Sequence, residues 1–247
     1  MVPLFAGAVT FFFTALLTIA GVGAAFVLIP VFMELGVEVH TAMATALLLN
    51  AVALSVASVN FIRKGLVVWS VALPMVVVAS ALSPFGARVS QGLDRTVLLW
   101  LFVGFLVFAA LMMLFYTPRV RETTSSGAAL LAVGSAVGGF AGFVGGLLGV
   151  GGGNIIVPAL VGLGFDPKKA SASTSFVVVF ASLAGFLGHI SLAGVDRPLL
   201  AWTALGSAGG AVLGSWLMTD KLKSKQVKLL IGLILIAIAV KMARGLV

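Results

Sequence analysis

Eight long apolar runs dominate this chain, at 4–33, 42–62, 66–87, 96–115, 128–163, 170–190, 198–218 and 227–243. A helix needs about 20 apolar residues to cross the roughly 30 Å hydrocarbon core of a bilayer. A membrane barrel would instead show stretches of about ten residues alternating apolar and polar. The chain therefore reads as an all-α integral membrane protein. Composition agrees: 61% of the 247 residues are hydrophobic and only 9% are charged, against about 25% charged in soluble domains. No room is left for a soluble catalytic or regulatory domain beside the membrane part. Cysteine is absent and the two histidines, His40 and His189, stand far apart. No disulfide, thiolate site or HExxH-type metal spacing is expected, and no cofactor.

Six runs have the length of one spanning helix. The runs 4–33 and 128–163 are too long for that: 36 residues of helix would measure about 54 Å. Both are interrupted by glycine, Gly21-Val22-Gly23 in the first and Gly149-Val150-Gly151-Gly152-Gly153 in the second. Glycine permits the backbone reversal such a run needs, so each reads as two helical arms joined at a break.

The chain also repeats. Adding 128 to the first-half numbers places Gly21, Val22, Gly23, Pro30, Leu35, Gly36, Ala42 and Ala44 on Gly149, Val150, Gly151, Pro158, Leu163, Gly164, Ala170 and Ala172. Gly86 falls on Gly214 and Gly104 on Gly232. Residues 1–120 are expected to form a first transmembrane repeat and 121–247 a second, within one transport domain. Thr117–Gly127 is the natural linker. The N-terminus has no positive region, and its first run belongs to the repeat, so it does not read as a cleaved signal peptide.

Charge decides the orientation. With one crossing per run, the 15 cations split seven against eight, which is no bias. With each long run a there-and-back hairpin, Arg63, Lys64, Arg119, Arg121, Lys168, Lys169, Lys221, Lys223, Lys225 and Lys228 share one side. Arg88, Arg95, Arg197, Lys241 and Arg244 share the other. Ten against five obeys the positive-inside rule, with both termini outside. The expected fold is two inverted repeats, each a glycine-broken hairpin plus three transmembrane helices. Trp69, Trp100, Trp202 and Trp216 lie mostly near run ends and read as interfacial anchors.

Inverted repeats with glycine-broken segments at matching positions point to a secondary transporter with its site between the repeats. A break leaves backbone N–H groups unpaired at the start of the next arm, with partial positive charge. Such an end holds an anion without a costly cation in the membrane. Candidate binding residues are Gly21, Gly23, Gly149, Gly151, Gly152 and Gly153, with Asn154 adding a side-chain amide. Tight helix packing is the competing role for glycine, and is preferred for Gly206 and Gly210. Ser173, Thr174 and Ser175, with Thr45 opposite Ser173 in the first half, could complete a shell of neutral donors. They could equally cap the helix or bond back to its carbonyls. Asn50 has no polar counterpart at position 178 and is either a ligand contact or a helix–helix hydrogen bond. His189 reads as interfacial or proton-responsive, and Arg88 as snorkelling to headgroups or drawing anions to the outer mouth; both are gate candidates.

At GVGGGNIIVPAL, followed by DPKKASASTSF and HISLAGVD, the second half resembles the TauE/SafE-type sulfite exporters, also called toluene sulfonate uptake permeases. The resemblance covers essentially the whole chain but weakens in the first half, where Gly21-Val22-Gly23-Ala24-Ala25 lacks the glycine triplet. It implies transport of sulfite, thiosulfate, sulfoacetate or a similar organosulfonate across the cytoplasmic membrane by a multi-pass protein. The residues alone imply only a small anion. The partners expected are that anion and membrane lipid, with a homodimer as a candidate assembly. Nucleic acid is not expected, since no basic domain is present. An anion channel of the same architecture is the alternative. An enzyme is not expected, because the spans lack the interior acid–base or metal-binding sets that catalysis needs. No P-loop is present to couple transport to ATP.

Overall fold

The structure, a computed structural model, describes residues 2–115, 127–189 and 197–244. Among the described residues ten α-helices lie in this order: α1 Val2–Ala20, α2 Ala25–Glu34, α3 Val39–Arg63, α4 Trp69–Ser90, α5 Arg95–Phe115, α6 Gly127–Leu147, α7 Gly153–Gly162, α8 Pro167–His189, α9 Arg197–Trp216 and α10 Ser224–Arg244. A π-helical turn, Leu217–Lys221, follows α9. Among the described residues there is no strand. The linker expected over 117–127 lies, but for Gly127, outside the described residues.

Each over-long run is a pair of helices broken at its glycines. The first breaks between α1 and α2, where Gly21 and Gly23 have φ of +73° and +70°. The second breaks between α6 and α7, where Gly149, Gly151 and Gly152 have φ of +69°, +74° and +80°. A side chain in this left-handed region crowds the backbone, so glycine at these positions sets where the helices stop. Adding 128 to the bounds of α2 gives 153–162, the bounds of α7.

Among the described residues, four helices are long and apolar enough to cross a membrane: His40–Arg63, Trp69–Ser90, Leu130–Leu147 and Pro167–His189. α7, at ten residues, is about 15 Å long, half the hydrocarbon thickness. The outer surface suits lipid, with Phe85, Phe108 and Phe115 each at least 60% exposed. Trp69, Trp100, Trp202 and Trp216 are also exposed.

Glycine stripes bring the two halves together. On α6, Gly134, Gly138, Gly142 and Gly146 recur every fourth residue and so share one face. That face lies on α4: Cβ atoms at these glycines would meet Val71 and Pro74, Met75, Ala79 and Ser83 in turn. On α9, Gly206, Gly210 and Gly214 lie likewise on α1, against Gly7 and Phe11, then Phe11 and Ala15, then Ala15 and Thr18. In lipid, where apolar surface gives no drive between helices, such close backbone approach supplies the packing attraction. Packing is thus the role of Gly206 and Gly210. In both pairs the residue numbers rise together, so α6 runs parallel to α4, and α9 to α1. Each pair joins a helix of one half to a helix of the other.

α3 and α8, which correspond under the offset of 128, pack at the centre in opposite directions. His40 faces His189, Leu47 faces Gly185 and Asn50 bonds to Ser182. α4 runs parallel to α8, tied by Val68 N–H to Ser173 Oγ at 2.9 Å and Ser83 Oγ to the Ala181 carbonyl at 2.9 Å.

Candidate functional site

The two breaks meet. A Cβ on Gly153 would lie 2.8 Å from the Cα of Val22 and 3.2 Å from the Gly21 carbonyl oxygen. The starts of α2 and α7 therefore approach one another. The first N–H groups of a helix have no partner within it. At α7, Ile155 and Ile156 donate back to the Gly152 carbonyl at 3.0 and 3.2 Å. At α2, Val27 and Leu28 do the same to the Ala24 carbonyl, both at 3.0 Å. Among the described residues, no backbone carbonyl accepts from Ala25, Gly153 or Asn154.

Asn50, near the middle of α3, sits between the breaks. Its Nδ2 donates to Ser182 Oγ at 3.1 Å and lies 3.1 Å from where a Gly151 Cβ would stand. Its Oδ1 occupies the space a Gly23 side chain would need and has no partner. Asn50 is 1% exposed and Asn154 2%, and both amide atoms of Asn154 are also unpartnered. Thr174 Oγ1 and Thr18 Oγ1 are buried without partners as well. A buried amide or hydroxyl left unpaired is costly, so each calls for an explanation such as a ligand.

The other sequence-selected residues divide. Thr45 Oγ1 donates to the Thr41 carbonyl at 2.8 Å and Ser175 Oγ to the Ser171 carbonyl at 2.9 Å. These are back-bonds within their own helices. Ser173 Oγ accepts from the Val68 N–H, joining α8 to the start of α4. Gly21 makes room for the backbone of Ser171, whose hydroxyl donates to the Ala20 carbonyl at 3.2 Å. Gly149 lies against Met43, and Gly152 against the Ala141 carbonyl. A side chain at Gly152 would thus strike backbone as well as a disfavoured φ. Arg88 is exposed in the last turn of α4. His189 is 4% exposed, with Nε2 3.0 Å from the Gly146 carbonyl oxygen and its ring 6.4 Å from that of His40.

Sequence reasoning missed Ser182. Asn50 maps by the offset of 128 onto Val178, and Ser182 lies one turn beyond Val178 on the same face, so a search at i+4 would have found it.

Among the described residues, the buried polar side chains are Thr, Ser, Asn and His189; no Lys, Arg, Asp or Glu is buried. Nor is there a group of three His, Cys, Asp or Glu placed to hold a metal. Charge collects at the helix ends. Glu38 caps α3, accepting from His40 N–H at 2.9 Å and Thr41 N–H at 3.0 Å. Partial burial works to raise its carboxyl, but these N–H groups and the His40 ring outweigh it and hold the pKa at about 2. At the other end Lys64 Nζ meets Asp220 Oδ1 at 2.6 Å, and this contact, then Thr219, draws Asp220 below its ordinary value. Lys168 Nζ donates to the Thr219 carbonyl at 3.0 Å. This cluster ties the α3–α4 connection to the π-helical turn.

Comparison with known proteins adds two findings. A family model described as sulfite exporter TauE/SafE matches residues 6–242. The chain is 33% identical over 107 residues to the "Probable membrane transporter protein YunE" of Bacillus subtilis (strain 168). That stretch covers 43% of this chain and 39% of the relative. No solved structure matches.

Proposed function

The chain belongs to the sulfite exporter TauE/SafE family, and from that premise we propose that it is a secondary transporter of a small sulfur-containing anion. Sulfite, thiosulfate, sulfoacetate and similar organosulfonates are the substrate class, and the cytoplasmic membrane is its place. The observation that carries this reading is the meeting of the two glycine breaks around Asn50 and Asn154. The first N–H groups of two helix starts lie there with no described backbone carbonyl accepting from them. Beside them are the unpartnered amide of Asn154 and the Asn50 amide, whose Oδ1 is unpartnered, and among the described residues no Lys or Arg is buried. Such a site binds an anion through oriented dipoles and releases it readily.

The transport cycle is read as two inverted repeats moving about this site. Support comes from α3 and α8, corresponding helices that pack in opposite directions. Further support is the exchange of partners, α1 on α9 and α6 on α4. An operation that swaps the halves and reverses α3 onto α8 is a two-fold axis in the membrane plane, which would place the site near the midplane. The His40–His189 contact would then lie at the outer end and the Lys64–Asp220 bridge at the inner end. A homodimer is the assembly we propose.

The test is flux. Purified protein in liposomes loaded with one sulfur anion should exchange it for labelled sulfite or sulfonate with saturation. Conductance far above carrier turnover would instead indicate a channel, and no movement of any sulfur anion would refute the substrate class.

A further inference from the structure

α1 and α6 end at the two breaks, and α8 supplies a donor to each end. Ser171 Oγ donates to the Ala20 carbonyl at 3.2 Å, and His189 Nε2 stands 3.0 Å from the Gly146 carbonyl oxygen. The two donors differ in one respect: near neutral pH an imidazole can take up a proton and a hydroxyl cannot. A carbonyl oxygen only accepts, so Nε2 carries the ring hydrogen. In the neutral ring Nδ1 is then a bare lone pair. That atom is buried without a partner, in a residue 4% exposed, and is an open acceptor for one proton. The Gly146 carbonyl also accepts from the Gly149 N–H at 3.3 Å, and Gly149 has the left-handed φ that begins the second break. His189 therefore grips the turn from which α7 starts.

The proton has a way in. The His189 ring lies 6.4 Å from that of His40, whose side chain is 39% exposed and whose Nδ1 meets Glu38 Oε1 at 2.9 Å. Glu38 and His40 are the titratable groups that face His189 from the start of α3. On α4, Gly188 packs against Pro84 and Ala87, and the next residue, Arg88, is exposed. α6 carries no titratable residue, and the lysines of α8, Lys168 and Lys169, lie at its far end. We propose that His189 is the proton-binding residue of the transport cycle: its Nδ1 takes a proton from the outer face by way of His40, and the protonated protein binds the anion more tightly. Two effects act in the same direction. The imidazolium lies seven residues along α8 from Ser182, about 10 Å, where its charge favours an anion across a low-dielectric interior. Its charged Nε2–H also bonds the Gly146 carbonyl more strongly, which firms the break. Binding of either proton or anion then favours the other, so a proton gradient can drive the anion. This rests on the reading of the breaks as the anion site and adds the coupling ion to it.

The test is calorimetric binding of methanesulfonate to the full purified chain in detergent, at pH 5.5 and pH 8, on either side of the ordinary imidazole pKa of about 6.5. Methanesulfonate is fully ionised at both, and Glu38, with its pKa held at about 2, stays ionised as well. Wild type should bind at least about threefold tighter at pH 5.5. His189→Gln, whose amide can still donate to the Gly146 carbonyl but takes up no proton, should bind equally at both. His40→Gln should keep the dependence, because the proton's route does not alter its equilibrium. A dependence that survives in His189→Gln protein would overturn the assignment, and one lost only in His40→Gln would move it to His40. Wild-type binding that is equal at both pH values, or tighter at pH 8, would overturn the proton link and leave the anion site standing. No binding at either pH would overturn the anion site and the coupling together. Should His189→Gln fail to fold, ring-nitrogen NMR of His40→Gln protein decides, since His189 is then the sole imidazole. Methanesulfonate should raise its imidazolium fraction at pH 7, and an unchanged fraction would overturn the proposal.

Discussion

Replacing Asn154 by leucine should make the empty protein more stable while removing its ligand. Asn154 is 2% exposed, and both its Nδ2 and Oδ1 lack partners. An unsatisfied buried amide costs about 1–3 kcal/mol, whereas an apolar side chain of similar size carries no such penalty. Asn154→Leu is therefore expected to raise ligand-free stability by about 1–3 kcal/mol, opposite in sign to the usual effect of changing a buried residue. Binding should fall, because a hydrogen bond to a charged ligand contributes about 1.5–3 kcal/mol, roughly tenfold to hundredfold in Kd. Thermal unfolding followed by tryptophan fluorescence, with and without methanesulfonate, reads both effects. The variant should melt higher than wild type without the anion and gain less from adding it. A lower melting temperature would mean that Asn154 supports the fold, and an undiminished anion-induced rise would remove it from the site.

Other outcomes follow from the same structure. Gly210→Leu should lower stability by at least about 1–3 kcal/mol, since any Cβ there meets the Phe11 carbonyl of α1; yield and melting temperature check it. Glu38→Gln should lower stability at neutral pH by about 1 kcal/mol, the usual worth of an N-cap. Because the folded pKa of Glu38 is depressed to about 2 from 4.5, its contribution is present above pH 4.5. It is lost as pH falls from about 4.5 to 2, so wild type and variant should converge in melting temperature there. Leu35→Cys and Lys169→Cys, placed in a chain with no cysteine of its own, should label from opposite faces of the membrane, Lys169→Cys from the cytoplasm. Labelling from one face would refute the inverted arrangement.

Much of the architecture was legible in the residues alone, because membrane helices write their lengths in hydropathy. A bilayer sets a span of about 20 residues, so runs of 30 and 36 residues had to break. Only the glycines at 21, 23, 149, 151 and 152 could accept the left-handed backbone that the breaks adopt. The offset of 128 is carried by identical residues and needed no coordinates to be seen. Helix partners were not legible in this way. A lipid-exposed helix is apolar all round, so periodicity does not say which face meets protein. The stripe of Gly134, Gly138, Gly142 and Gly146 marks a packing face, but a close-packing surface carries no label for its partner. That α6 chooses α4, from the other half of the chain, is a matter of shape complementarity between distant segments. The hydroxyls were ambiguous for a related reason. Ser, Thr and Asn can bond to their own helix, to another or to a ligand at similar energy, and only position in space separates these. Tertiary structure turned Thr45 and Ser175 back on their own carbonyls and gave Ser182 to Asn50. It left Asn154 with nothing, because packing the two helix starts together fixes which polar atoms other chain segments can reach.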